Sequence, residues 1–310
     1  GPGSEALSKY GPAVLARLSG DIATMIADAG ADPAIAARIT AFPTLAEALE
    51  GAGWVQENGP ENAAVKRALF ADLDRLAAPD AVLASSSSAL MPSVWSEGLA
   101  GAARCLVAHP VNPPHLVPIV ELCPSPATSP ATMARAEALF RQVGQVPALL
   151  TREVEGFVLN RLQAVLLAES LRLVADGVVS VQGLDDTIKH GLGRRWAFMG
   201  PLETILLNAP GGVADYIRRY GPMLAQLTDG AARGEAFTEA AGGIVAEAFA
   251  VALVDDEFVI VDGDDFADGA VLGLGGGADV VELVGVFVGD FAGRDVDGDG
   301  ALAAIAREVD

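Results

Sequence analysis

The chain is poor in cysteine, in aromatic side chains and in positive charge. Its 310 residues include two cysteines, Cys105 and Cys123, and Phe, Tyr and Trp together make up only 5%. Two cysteines cannot build a disulfide scaffold. Both lie in apolar runs away from any metal-ligand spacing, so no metal site is expected and a reducing cytoplasm fits best. Only 20 Lys and Arg face 41 Asp and Glu, for a net charge of −21. So acidic a surface repels phosphate backbones and anionic headgroups, which argues against nucleic acid or membranes as partners. Solubility is the plain role of such charge. No apolar run reaches the roughly 18 to 20 residues of a membrane-spanning helix, and no signal peptide is expected. The opening Gly1-Pro2-Gly3-Ser4 resembles a protease-cleavage remnant and is set aside.

What is present is apolar and regular. Ala, Val, Leu and their kin supply 51% of the chain, which excludes a mostly disordered protein and suffices for one large or two medium cores. Residues 6–39 are Ala-rich and helical in pattern. Helical spacing recurs at 45–51 and at 61–76, where Val65, Leu69, Phe70 and Leu73 form one stripe. Short apolar runs at 53–57, 81–84, 104–107 and 117–122 read as strands. Strands alternating with helices predict an α/β domain with a mostly parallel sheet. Beyond Glu155 the pattern turns helical, first over 156–176 with Phe157, Leu162, Val165, Leu166 and Leu173, then onward to Tyr220. A domain boundary is therefore expected near Thr151.

Four local features point to chemistry. Ser85-Ser86-Ser87-Ser88-Ala89-Leu90 follows a strand directly, where open α/β sheets bind ligands; a polar loop with a helix cap is the alternative. Next, His109 leaves the strand at 104–107 and enters a loop holding Pro110, Pro113 and Pro114. Histidine titrates near neutrality and can take a proton from an alcohol as hydride departs, although a loop histidine can also be simply hydrogen-bonded. Third, Glu121 stands among apolar strand neighbours twelve residues later. A buried carboxylate needs a partner, and the imidazole would be one, oriented as in a catalytic triad. Finally, Asn160 lies in the first turns of the long helix, where its amide can meet a hydroxyl or a carbonyl in an interdomain cleft.

Together these motifs resemble the 3-hydroxyacyl-CoA dehydrogenase family: the serine run, His-Pro-Val-Asn-Pro-Pro from His109, Val-Glu-Leu around Glu121, and Gly-Phe-Val-Leu-Asn-Arg-Leu from Gly156. Gly191-Leu192-Gly193-Arg194-Arg195-Trp196-Ala197-Phe198 resembles the branch of that family acting on L-gulonate. The similarity runs from about Ala6 to Tyr220. It implies an NAD-dependent oxidation of the 3-hydroxyl of a small L-3-hydroxy acid, with L-gulonate preferred and an L-3-hydroxyacyl-CoA as the alternative. By the same resemblance His109 is the general base, Glu121 its partner, and Ser88 and Asn160 hold the substrate oxygen. Glu61, Lys66, Ser88 and Asn112 contact the cofactor. Arg194 and Arg195 would clamp a substrate carboxylate, and the second domain would form a homodimer.

One departure stands out. Family members carry a strand and a Gly-rich turn for the pyrophosphate, then a ribose-binding acid, and the run from Ala6 offers no such fingerprint. A G-x-G-x-x-A pattern occurs instead at 273–278, with Asp295 22 residues beyond Gly273. The expected fold is thus a Rossmann-like α/β domain over 5–151, with its first βαβ unit missing or moved to the C-terminus, and an all-α domain over 152–253. A Gly- and Asp-rich tail over 254–310 would supply Gly273, Gly275 and Asp295 to the cofactor, with a helix between them over 279–291. A structural protein that keeps this fold without turnover is the reading from another class.

Overall fold

A computed structural model describes residues 44–229, together with Ala34, Phe42, 237–238, 240–241, 243–245 and a strand at 286–289. They fall into two compact units that divide between Asn160 and Arg161.

The first unit is built on a six-stranded sheet. Its elements in chain order are α1 (Leu45–Ala48), β1 (Trp54–Glu57), α2 (Ala63–Leu76), β2 (Val82–Ser85), α3 (Pro92–Ser96), β3 (Cys105–Pro110), β4 (Ile119–Pro124), α4 (Pro130–Gln142) and β5 (Val146–Leu149). A 3₁₀ turn at Ala102–Arg104 leads into β3. The sixth strand, β6, is Val286–Gly289. The sheet order is β5-β4-β3-β2-β1-β6. β1 to β3 are parallel, as are β4 and β5, whereas β3 pairs with β4 and β1 with β6 in antiparallel fashion.

Strand period explains the packing. Successive side chains point to opposite faces, so Val55, Leu83, Cys105, Val107 and Cys123 enter one apolar cluster with Phe70, Leu73 and Trp95. Trp54, Val82, Ala84, Leu106, Ala108, Val120 and Leu122 enter the other, with Ala136 and Leu139 of α4. Burial on both faces is why β2 and β3 read as unbroken apolar runs. Helix starts follow local chemistry: Asn62 caps α2 by accepting from the Ala64 and Val65 amides, and Ser129 caps α4 ahead of Pro130.

The second unit opens with α5 (Leu159–Ala175), whose first two residues still belong to the first unit. It continues through α6 (Val181–Thr187), a π-helical turn (Ile188–Leu192), α7 (Gly193–Trp196), α8 (Pro201–Leu207) and α9 (Gly212–Asp229). Among the described residues no helix is long and apolar enough to cross a membrane.

Several expectations need correction. β3 extends three residues past 107, so His109 is a strand residue and not a loop residue. The long helix starts at Leu159; Gly156 and Phe157 form a turn before it, both at positive φ (70° and 50°). Residues 286–289, expected within a helix, form a strand. The helices α3 and α4 and the strand β5 were not anticipated. Gly273, Gly275 and Asp295 lie outside the described residues.

Candidate active site

The same alternation that builds the first apolar cluster places four polar residues on that face of the sheet. Glu57 follows Val55 by two positions, Ser85 follows Leu83, His109 follows Val107, and Glu121 precedes Cys123. Two of them end parallel strands, His109 is the last residue but one of β3, and Glu121 is its direct cross-strand partner.

His109 is 7% exposed and Glu121 2%. Their side chains meet at 3.0 Å, Nδ1 to Oε2. The other carboxylate oxygen of Glu121 accepts the backbone N–H groups of Val158 (2.9 Å) and Leu159 (3.0 Å). Those amides open helix α5, so the carboxylate also lies at the positive end of the helix dipole. Burial pushes the Glu121 carboxyl up, but the bonds from His109, Leu159 and Val158 together outweigh it and hold the carboxyl below its ordinary value of 4.5. An ionised carboxylate only accepts, so Nδ1 of the imidazole carries the proton and Nε2 is the basic nitrogen. Among the described residues Nε2 has no hydrogen-bond partner.

Phe157 completes this corner. It is fully buried, 5.6 Å from the imidazole between ring centroids. A positive φ at a bulky residue costs on the order of 1–2 kcal/mol. The turn it makes is what aims two consecutive amides at Glu121.

The serine loop is tied to the same place. Asn160 Nδ2 donates to the Ser88 carbonyl at 2.6 Å, which leaves Oδ1 of the amide to accept. Glu61 accepts from the Ser87 hydroxyl and from the amides of Ser88 (3.2 Å), Ala89 (3.1 Å) and Leu90 (2.7 Å). Burial raises the Glu61 carboxyl, and the bonds from Ser87, Leu90, Ala89 and Ser88 bring it below 4.5. With its backbone held from both sides, Ser88 is exposed. A continuous chain of hydrogen bonds thus links His109, Glu121, the start of α5, Asn160, Ser88 and Glu61.

The remaining sequence-selected residues have other surroundings. Lys66 is 1% exposed, and its ammonium lies 2.9 and 2.8 Å from the two carboxylate oxygens of Glu57, itself 0% exposed, and 3.2 Å from the Gly59 carbonyl. Asn112 is exposed beyond the end of β3. Arg194 and Arg195 are exposed on α7, in the second unit. Sequence reasoning missed Glu57, Ser85 and Gln56. The Gln56 amide donates to Ser86 Oγ (2.6 Å) and to the Ala108 carbonyl (3.0 Å), next to His109. Among the described residues no group of three or more His, Cys, Asp and Glu is arranged to hold a metal ion.

Comparison with known proteins follows the same lines. Residues 5–154 match the "3-hydroxyacyl-CoA dehydrogenase, NAD binding domain" and residues 156–241 the "3-hydroxyacyl-CoA dehydrogenase, C-terminal domain". The chain is 47% identical over 236 residues to a lambda-crystallin homolog of Bos taurus, covering 76% of this chain and 73% of that protein. It is 51% identical over 182 residues to lambda-crystallin of Oryctolagus cuniculus, covering 59% of this chain but only 57% of the rabbit protein. Among solved structures it is similar to an NAD+-dependent dismutase, 5-formyl-3-hydroxy-2-methylpyridine 4-carboxylic acid 5-dehydrogenase. That match has a TM-score of 0.56 and 29% identity, over 66% of this chain and 65% of that one.

Proposed function

Because the chain belongs to the 3-hydroxyacyl-CoA dehydrogenase family, we propose that it oxidises the 3-hydroxyl of a small L-3-hydroxy acid, L-gulonate first among them, with NAD as the oxidant. The observation that carries this reading is the buried His109–Glu121 pair, whose carboxylate is also bound by two helix-opening amides.

The described residues fit the nicotinamide end of a dinucleotide. The carboxyl ends of β1, β2 and β3 lie side by side, with Ser88 and Asn112 exposed along them and the Glu61 carboxylate bound to the serine loop. Such neutral and anionic groups suit a cationic ring. Bound there, NAD would supply the hydride acceptor. Ser88 and Asn112 would contact the nicotinamide end, and Glu61 would hold the loop on which Ser88 sits.

The protein's own work is to manage the proton and the oxygen. His109 Nε2 accepts the hydroxyl proton, and the imidazolium formed is stabilised by Glu121 through Nδ1–H. General-base assistance of this kind contributes about 10²–10⁴-fold. The Ser88 hydroxyl and Asn160 Oδ1 hold the substrate oxygen, which changes from donor to acceptor as the ketone forms. Arg194 and Arg195 favour a substrate carboxylate, hence a sugar acid over a thioester. Exposed apolar side chains of the second unit, among them Val165, Phe198, Leu202 and Leu207, support assembly as a homodimer.

The test is a rate comparison with purified protein, L-gulonate against 3-hydroxybutyryl-CoA, alongside an NADH titration read by tryptophan fluorescence. Saturable NADH binding and a higher kcat/KM for L-gulonate are expected. A preference for the thioester would move the substrate to the acyl-CoA class. Absence of NADH binding at millimolar cofactor would leave a structural protein.

A further inference from the structure

Beneath the serine loop lies a second buried charge pair, which proton transfer at His109 does not use. Glu57 and Lys66 are held by directional bonds that all lead to two turns at the carboxyl edge of the sheet. Glu57 Oε1 accepts the Gly59 amide at 2.5 Å, and Lys66 Nζ donates to the Gly59 carbonyl at 3.2 Å. Both hold the turn after β1, which leads to Glu61. A side chain at position 59 would put its Cβ 2.7 Å from Glu57 Oε1, so the carboxylate would have to shift from its place. Glu57 Oε2 accepts the Ser85 hydroxyl at 2.6 Å, and Ser85 Oγ accepts the Ser87 amide at 3.1 Å, which holds the turn after β2.

Stability does not account for this arrangement. A buried ion pair is often no more stabilising than apolar side chains of the same volume, because both charges lose their hydration. What apolar side chains cannot do is fix the Gly59 and Ser87 backbones by hydrogen bonds at set angles. The two turns meet at Glu61, which accepts three amides of the 88–90 segment. An error in either turn is therefore passed to Ser88.

We propose that Glu57 and Lys66 are positioning residues, acting through Gly59 and Ser85 to keep Ser88 in register with the substrate oxygen. The assignment rests on the dehydrogenase reading above. It gives Lys66 a role through the loops in place of the direct cofactor contact that the family resemblance implies.

The experiment uses the full chain with both residues changed, Glu57→Met with Lys66→Met, which keeps volume and removes both charges. The expected result is a folded protein with kcat lowered about 10²-fold, the loss a roughly 1 Å misplacement brings. KM for NAD should stay near wild type. The pH profile should keep its shape, because the His109–Glu121 pair is untouched. Independently of turnover, amide hydrogen exchange at 87–90 should quicken at least about tenfold, while β3 and β4 keep their protection. A folded double variant with unchanged kcat and unchanged exchange at 87–90 would overturn the proposal. If the double variant does not fold, Ser85→Ala decides. It removes the bonds that join Glu57 to Ser87 and leaves those to Gly59 in place, so it should speed exchange at Ser87, with kcat reduced about tenfold; no change in either sinks the idea. A wild-type protein without NAD-linked turnover would end the dehydrogenase reading, and the exchange result would still decide whether the pair positions the loop.

Discussion

Replacing Glu121 by glutamine isolates what the carboxylate does. The side chain keeps its shape, so the change lies in which atoms can accept. Oε1 of Glu121 receives two backbone amides and Oε2 receives the imidazole Nδ1–H. A glutamine has one oxygen and must choose. Facing the oxygen toward Val158 and Leu159 keeps two bonds; turning it round opposes an NH₂ to both amides. Hydrogen bonds to charged acceptors contribute about 1.5–3 kcal/mol each. Even at half that for the neutral amide, the first orientation is preferred by more than about 1.5 kcal/mol. The NH₂ then faces Nδ1 and can only donate, which drives the imidazole proton to Nε2, the nitrogen that has to accept. The expected kcat loss is the general-base contribution, about 10²–10⁴-fold, with KM little changed. The fold should survive with about 1–3 kcal/mol less stability, one charge-assisted bond being lost. Steady-state NADH formation and a thermal melt measure the two effects. A kcat within about threefold of wild type in a folded variant would refute the tautomer argument and, with it, the assignment of His109 as base.

Three further outcomes are expected from the same structure. The Cys105 and Cys123 thiols are free and buried, and burial pushes both up to about 12, so neither should react with a thiol reagent near pH 8 until denaturant is added, when both should. Since the folded-state Glu121 and Glu61 carboxyls lie below 4.5, their stabilisation is complete above about pH 4.5 and is lost as pH falls through their lower folded values; the stability gap between wild type and Glu121→Gln should therefore be constant above that pH and close as pH falls through that range, and a gap that stays constant on acidification would count against the Glu121 part. Arg104 donates to the Asp74 carboxylate (2.8 Å) and to the Asp74 and Ala81 carbonyls, both side chains being 11% exposed. Arg104→Ala should therefore cost about 2–4 kcal/mol in denaturant unfolding, and a loss below about 0.5 kcal/mol would show the bonds to be weak.

The pairing of His109 with Glu121 was legible because strands have a period of two. An imidazole and a carboxylate among apolar neighbours, twelve residues apart, suit two adjacent strands joined by a short Pro-rich connection, and the register sets them opposite one another. Less was visible where signals conflict. Lys66 occupies the buried stripe of α2 with Phe70 and Leu73, at positions i, i+4 and i+7, but a lysine there reads as solvent-facing unless its strand partner is recognised. Glu57 alternates with Val55 just as Glu121 does with Cys123, and that parity was the available clue. α4 carried a plain start signal in Ser129-Pro130. β5 offered little, since its first and last residues are exposed. The turn at Phe157 could not be read at all, because the tertiary demand for two amides at Glu121 overrides the helical spacing of that segment.

Three carboxylates gather along one edge of the sheet, and their partners differ in kind. Glu57 meets a lysine; Glu61 meets a hydroxyl and three amides; Glu121 meets two amides and an imidazole. Only the last set includes the group that takes the proton in the proposed reaction. On the proposed mechanism Glu57 and Glu61 are supports that exchange no proton with the substrate. In the proposed proton transfer, Glu121 alone of the three interacts more strongly with the product than with the reactant, which is the condition for lowering a barrier and not merely strengthening binding. On this argument, removing a support misplaces the reacting groups and leaves the pH dependence of the rate alone. Removing Glu121 changes that dependence, because the imidazolium loses the charge that favours it.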